Sequence, residues 1–140
     1  MKILLAVDGS PYTQKMLAYL VTHPELFGSH NAFTCFTVVA GLPPRARAAL
    51  GTDIAQSYYD DEAAKVAEPV VALLAQHNTQ PTVVYKVGHA GEQIGQVATE
   101  DKYDMVVMGS HGHSALGNLV MGSVTTQVLA HCTVPVLLVR

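Results

Sequence analysis

The sequence contains few charged residues and no long apolar run. Charged residues make up 14% of the 140 residues, and the net charge of −3 gives no basic surface of the kind that binds nucleic acid. No apolar run approaches the roughly 18 residues of a membrane span. The first residues, KILLAVD, form a very short apolar run that ends at Asp8, which indicates a strand rather than a signal peptide. We therefore expect a cytoplasmic protein without nucleic-acid or membrane partners.

Several motifs that carry chemistry are also absent. Cys35 and Cys132 have neither CxxC nor metal-ligand spacing, so we expect two buried, reduced thiols. No GxGxxG follows the first apolar run, no GxSxG occurs, and the one P-loop-like glycine spacing is followed by Asn118 instead of lysine. His111 and His113 lack an obvious third ligand, so we expect no metal site.

Five short apolar runs alternate with segments of helical periodicity. The first, fourth and fifth runs lack apolar–polar alternation, which is typical of parallel strands covered by helices on both faces. The alternation predicts an α/β fold, a doubly wound five-stranded parallel sheet of order 3-2-1-4-5, as a single domain over 1–140. The predicted strands are 3–7, 33–39, 82–87, 105–109 and 134–139, and the predicted helices are 11–27, 55–77, 91–100 and 122–132.

Two features interrupt this regular pattern. Residues 40–53 show no periodicity, and a connection of that length is usually a functional lid or disordered. As a lid it would bring Arg45 or Arg47 towards a ligand. Pro69 lies in the middle of the predicted helix 55–77 and should kink or break it.

A glycine-dotted loop leaves the fourth strand at a position where open sheets bind ligands. Such sheets bind beyond the carboxyl ends of the strands, at the point where the winding reverses. In the order 3-2-1-4-5 this point lies between strands one and four, which end at Asp8 and Gly109. The loop carries no Lys, Arg, Asp or Glu and leads to a helix that starts near Gly122 and Ser123. Glycine backbones and helix-start amides can bind a phosphate without a lysine, so the pattern predicts a phosphate site.

Each of these residues is also compatible with a purely structural role. Asp8 suits a turn or a helix cap, Gly109 a turn out of the strand, and Met108 the core. Gly122 and Ser123 both suit a helix N-cap. Their convergence on one crevice favours binding, because capping by itself requires no such convergence.

The pattern resembles the ATP-binding branch of the universal stress protein family. Gly109, Gly112, Gly122 and Ser123 stand at that branch's spacing, which is a glycine, two residues, a glycine, nine residues, a glycine and Ser or Thr. The similarity covers nearly the whole chain, including KILLAVDGS, VGHAGEQIGQVA and the C-terminal VPVLLVR. It implies the same doubly wound sheet, of the adenine nucleotide alpha hydrolase-like class. It also implies binding of ATP, ADP or AMP, with or without Mg²⁺.

The resemblance implies a role for each site residue. Ala6 and Val38 (or Val39, with a shift of one residue) would lie along the adenine, and Asp8 would contact the ribose or adenine. Met108 and Gly109 would lie near the base and ribose. The implied phosphate-binding residues are Gly112, Gly122, Ser123 and Val124, with Thr125 as a weaker candidate.

The chain departs from the family pattern at two places. TVVA stands where the family often has HVxD at the end of strand two, and His111 and His113 stand where many members have arginine. The second departure reduces the charge at the phosphates, so AMP, ADP and a cyclic nucleotide remain alternatives to ATP.

We expect a regulatory or stress-response module that binds a nucleotide with little or no turnover. Fast phosphoryl transfer needs charge clamps and a positioned base, which residues 109–125 do not supply. The alternatives are a slow ATPase or phosphotransferase and an interaction protein without nucleotide. The apolar edge strand 134–139 and the resemblance together predict a homodimer through that strand.

Overall fold

A computed structural model describes residues 1–113 and 121–140. Gly117, with the rest of the predicted glycine loop over 114–120, lies outside the described residues. Among those that are described, no helix combines the length and the apolar content needed to cross a membrane.

The core of the fold is one parallel sheet of five strands in the order 3-2-1-4-5, as predicted. Adjacent strands pair in parallel throughout the sheet. The strands are β1 (Lys2–Ala6), β2 (Ala32–Val39), β3 (Thr82–Val87), β4 (Met105–Gly109) and β5 (Val136–Val139). The last strand is shorter than predicted, because it begins at Val136 rather than at residue 134.

Helices connect the strands and cover both faces of the sheet. They are α1 (Pro11–Val21), α2 (Pro24–Phe27), α3 (Pro44–Leu50), α4 (Thr52–Gln76), α5 (Ala90–Glu100) and α6 (Ser123–His131). The single predicted helix 11–27 is two helices, since Pro24 disfavours helical backbone at His23, whose φ is −127° and ψ 61°. Residues 40–53 are not irregular, because α3 occupies half of them.

Helix α4 runs through Pro69 without interruption, so of the predicted kink or break the break is wrong. Pro69 is exposed, whereas Ala67 and Val70 on either side of it are buried in the core. The carbonyl that a proline deprives of its partner can therefore be hydrated. Packing of Ala67 and Val70 in the core holds the helix on both sides of Pro69.

Two apolar layers, one on each face of the sheet, form the core. Ile3, Leu5 and Val7 point into the layer under α1 and α4. Leu4 and Ala6 point into the layer under α5 and α6. The alternation of side chains along a strand explains why β1 is apolar from Ile3 to Ala6, because both of its faces are covered there.

Candidate functional site

A cavity of about 340 Å³ opens where β1 and β4 end. That volume lies within the range of small-molecule sites, and the position is the point at which the winding of the sheet reverses. All ten residues that the sequence predicted for the site line this one cavity: Ala6, Asp8, Val38, Met108, Gly109, Gly112, Gly122, Ser123, Val124 and Thr125. The structure therefore brings together residues that are more than 100 positions apart in the chain.

The apolar wall of the cavity is built by three neighbouring strands. Ala6 lies opposite Phe36 of β2 and opposite Met108 of β4 in the strand registers. The small methyl group of Ala6 between two large side chains leaves room above the sheet. Val38 follows Phe36 by two residues and so faces the same side. This wall can pack against a flat, largely apolar ring.

Seven further residues line the cavity: Val7, Thr13, Phe36, Ala90, Ile94, His111 and His113. Of these, sequence reasoning placed only the two histidines near the phosphates. Phe36 could have been found from Val38, because residues two positions apart in a strand lie on the same face of the sheet. Ala90 and Ile94 stand four positions apart on α5, so they share a helix face, but no local signal pointed that face at the crevice.

Asp8 is held by hydrogen bonds at the mouth of the cavity. Its Oδ1 accepts from the backbone N of Ser10 and from Oγ1 of Thr13, both at 2.9 Å. Thr13 Oγ1 in turn accepts from the backbone N of Asp8 at 3.1 Å. A Cβ on Gly112 would lie 2.7 Å from Asp8 Oδ2, so the second oxygen faces the glycine loop. Asp8 thus stabilises the turn before α1 through Oδ1 and also lines the cavity.

Gly109 allows β4 to pass close to the first turn of α1. A Cβ at this position would lie 2.6 Å from Tyr12 Cβ and 3.1 Å from the Tyr12 carbonyl carbon, which is closer than real contacts allow. Any side chain here would push β4 away from α1. The glycine is therefore required by the fold as well as by the predicted site.

Helix α6 begins at the cavity, as the sequence predicted. Gly122 is its N-cap, and Thr126 N donates to Gly122 O at 3.1 Å. The amides of the first turn, at residues 123–125, have no intrahelical acceptor. The hydroxyl of Thr125 is buried and donates to the carbonyls of Gly109 and Ser110 at 3.3 and 3.1 Å. Thr125 therefore ties α6 to the end of β4.

Both loop histidines make contacts that the sequence did not predict. Nε2 of His113 lies 2.6 Å from the backbone carbonyl oxygen of Asp8. Nδ1 of His111 lies 2.9 Å from Ser110 Oγ, and its ring packs on Tyr12 with 4.8 Å between centroids. The two imidazoles thus connect the loop after β4 to the segment after β1.

Asp8 is the single carboxylate, and lysine and arginine are absent, among the described residues that line the cavity. Arg45 and Arg47 of α3 do not line it. In the ranges 1–113 and 121–140, no group of three His, Cys, Asp or Glu side chains is placed to hold a metal ion.

The fold and the cavity define an α/β protein with a small-molecule-sized crevice at its switch point. The chain belongs to the universal stress protein family, whose family model matches residues 1–140. Universal stress protein Slr1230 of Synechocystis is 32% identical over 139 residues, which are 99% of this chain and 42% of that protein. Universal stress protein YxiE of Bacillus subtilis is 33% identical over 152 residues, covering 99% of this chain and 98% of its own. The chain thus spans less than half of the Synechocystis relative and nearly all of the Bacillus one.

Solved structures share the fold. Hypothetical protein MJ0577 superimposes with a TM-score of 0.79 at 24% identity, over 99% of this chain and 94% of that one. Universal stress proteins have also been solved with nucleotides. One from Arabidopsis thaliana holds AMP (TM-score 0.66, 16% identity, coverage 99% and 90%), and one from Archaeoglobus fulgidus is in complex with dAMP (0.64, 19%, 100% and 98%). Another is in complex with cAMP (0.62, 23%, 100% and 97%).

Proposed function

We propose that this chain is a cytoplasmic regulatory or stress-response module that binds an adenine nucleotide in the cavity between β1 and β4. ATP is the first ligand to test, with ADP, AMP and cyclic AMP as alternatives. The observation that carries the proposal is the convergence of all ten sequence-predicted residues on one cavity of about 340 Å³. The AMP, dAMP and cAMP bound by fold neighbours support the choice of an adenine nucleotide.

The cavity has surfaces suited to each part of such a ligand. The apolar wall around Ala6, Val38 and Met108 suits the base. The Oδ2 of Asp8 is a hydrogen-bond acceptor of the kind that binds ribose hydroxyls. The start of α6 suits the phosphate, since unpaired amides and the positive end of the helix dipole favour an anion.

A magnesium ion in this site would be held mainly by the nucleotide and by water. Mg²⁺ requires about six oxygen ligands. Asp8 is the only carboxylate among the described lining residues, and its Oδ1 already accepts two hydrogen bonds. We therefore expect nucleotide binding to persist when Mg²⁺ is removed.

We infer little or no turnover. Residues 109–125 contain no Lys, Arg, Asp or Glu to clamp the charge of a transferring phosphoryl group or to position the attacking water. A kcat within the ordinary enzyme range of roughly 1–1000 per second would contradict this inference and favour an ATPase or phosphotransferase.

Calorimetric titration with ATP, ADP, AMP and cyclic AMP, with and without Mg²⁺, tests the proposal. We expect binding of at least one of them, and no heat and no thermal shift with any would refute the proposed function. Ser123→Asp is the sharpest variant, because a carboxylate in the first turn suits the helix dipole but repels a phosphate. We expect it to lower nucleotide affinity by about tenfold or more without lowering the unfolding temperature.

A matched control for this variant is Ser57→Asp. Ser57 is exposed on α4 and outside the cavity lining, so the same change adds the same charge away from the site. Its nucleotide affinity should equal that of the parent. If the Ser123→Asp protein binds nucleotide as tightly as the parent, the phosphate does not lie at the start of α6.

A further inference from the structure

The cavity is lined by titratable groups but, among the described residues, by no lysine or arginine. The sequence from 109 to 125 carries no lysine or arginine, and Asp8 contributes a negative charge at neutral pH. His111 and His113 also line the cavity. Imidazole is the one side chain that ordinarily changes its charge between about pH 5 and 8. Among the described lining residues, a change of formal charge near neutral pH would therefore come from these two histidines.

The contact made by His113 determines which of its nitrogens carries a proton. Its Nε2 lies 2.6 Å from the Asp8 carbonyl oxygen, which can only accept a hydrogen bond. Nε2 must therefore carry the proton in the neutral ring. A second proton adds to Nδ1 without breaking this contact, so His113 can become positively charged with the loop in place.

His111 is positioned in a similar way. Its Nδ1 lies 2.9 Å from Ser110 Oγ, a hydroxyl that can either donate or accept, so this contact is compatible with both charge states. The ring of His111 packs on the ring of Tyr12. Lys15 Nζ lies 4.8 Å from the centroid of the same Tyr12 ring. Among the described residues, Tyr12 packs directly on His111, Lys15 lies over the Tyr12 ring, and Asp8 meets His113 through its backbone carbonyl.

We infer that His111 and His113 recognise the phosphate of the bound nucleotide through their protonated forms, so that affinity rises as the pH falls. The inference rests on the proposed nucleotide site and adds its charge selectivity and regulation. At high pH the negative charge of Asp8 stands alone among the described lining residues and opposes a phosphate. Protonated imidazoles offset that charge and attract the phosphate directly.

The sign of the pH dependence follows from linkage. A bound phosphate favours the charged imidazole and raises its pKa. The added affinity is fully present below the pKa of the free protein's imidazole and is lost as the pH rises through the raised value. Affinity for a ligand of constant charge should therefore be at least several-fold higher at about pH 5.5 than at about pH 8.5.

Cyclic AMP is the best probe, because its phosphodiester keeps one negative charge over this whole range, and adenosine is the phosphate-free reference. Calorimetry at both pH values should give tighter binding of cyclic AMP at low pH and no such change for adenosine. The pH response should disappear in a protein with His113→Gln and His111→Asn. Gln keeps a donor near the position of Nε2, and Asn keeps a polar nitrogen near that of Nδ1. His77→Gln, at an exposed position outside the cavity lining, is the matched control and should keep the full response.

Two outcomes overturn the inference alone: cyclic AMP affinity that is equal at both pH values, and a pH response that survives in the doubly substituted protein. AMP titrated in parallel extends the test. The phosphate of AMP itself changes its charge over this pH range, but this change is the same for the parent and the variant, so comparing their affinities at one pH removes it. If AMP, ADP, ATP and cyclic AMP all fail to bind at either pH, the proposed function fails and this inference with it. Binding without pH dependence would leave the proposed function standing.

Discussion

Gly122, the N-cap of α6, lies directly against the loop after β4. Its backbone N donates to Ser110 O at 2.9 Å, and a Cβ built on it would lie 3.2 Å from His111 Cα. A side chain here would therefore point at the backbone of the loop, and a larger residue would displace the loop.

Replacing Gly122 with leucine should lower nucleotide affinity by about tenfold or more while leaving the fold intact. The loss would come from displacement of the loop, because leucine is the better helix former and helix propensity cannot explain it. Titration calorimetry and thermal unfolding measure the two effects. Gly41→Leu is the control, since a Cβ there meets only Val87 Cγ1, at 3.7 Å. Unchanged affinity in a folded Gly122→Leu protein would show that the loop is not part of the site.

The two cysteines should differ in reactivity although both are free thiols. Cys35 is buried, and that burial raises the pKa of its thiol to about 11. Cys132 is half-buried at the end of α6. Because the thiolate is the reactive form, a thiol reagent at about pH 8 should label Cys132 and leave Cys35 untouched until the protein unfolds. Labelling followed by mass spectrometry should find one modified thiol in the native protein, and rapid double labelling would contradict the burial of Cys35.

At the scale of elements, α3 and α4 are held to the rest of the protein very differently. Helix α3 buries none of its residues. Helix α4 buries six of its residues, and it contacts β3 through Tyr85, whose hydroxyl donates to Asp60 and accepts from Gln56 Nε2 at 2.7 Å. The hydrogen bond lowers the pKa of Asp60 and raises that of Tyr85. Because α3 buries none of its residues, local unfolding of this helix loses little packing.

We expect the amides of α3 to exchange with solvent much faster than those of α4 in the nucleotide-free protein. The prediction that segment 40–53 closes as a lid adds a second result, namely slower exchange in α3 when nucleotide is bound. Hydrogen exchange with and without AMP measures both. Slow exchange in α3 in both conditions would contradict the first expectation, and fast exchange in both would remove the role as a lid.

At the scale of the whole molecule, β5 is an open edge of the sheet. It pairs only with β4 among the described strands. Val106 N donates to Pro135 O and Ser110 N to Val139 O, both at 2.9 Å, so the odd-numbered residues of this segment turn their polar groups towards β4. In a parallel ladder the alternate residues, Val136 and Leu138, present theirs to the outside. Such an edge invites pairing with another chain.

We predict a homodimer in which the edge segment 134–139 of one copy pairs with the same segment of a second copy. Two-fold pairing would satisfy the outward groups of both chains with one patch. Light scattering at micromolar concentration should give a dimeric mass. Amide exchange at Val136 and Leu138 should then be as slow as at Leu137 and Val139. A monomeric mass, or rapid exchange confined to the two outward amides, would rule out this interface.

Sequence reasoning predicted the strand order, and the ten residues that it proposed for a site line one cavity. The apolar pattern of each strand and helix reflects which of its faces are buried. This pattern can be recognised from a short stretch of sequence. Asp8, Gly109 and Gly122 follow from the same order, because the carboxyl ends of neighbouring parallel strands must meet at one edge. For these features the pattern of residues and the topology were sufficient.

Tertiary structure alone decided the features that depend on contacts between distant residues. Periodicity could not place the face of Ile94 on the cavity, or show that packing of Ala67 and Val70 would carry α4 through Pro69. The contact of His113 with the carbonyl of Asp8 joins residues 105 positions apart. Local patterns specify which face of an element is buried, whereas the partner that it meets is determined only when the whole sheet is assembled.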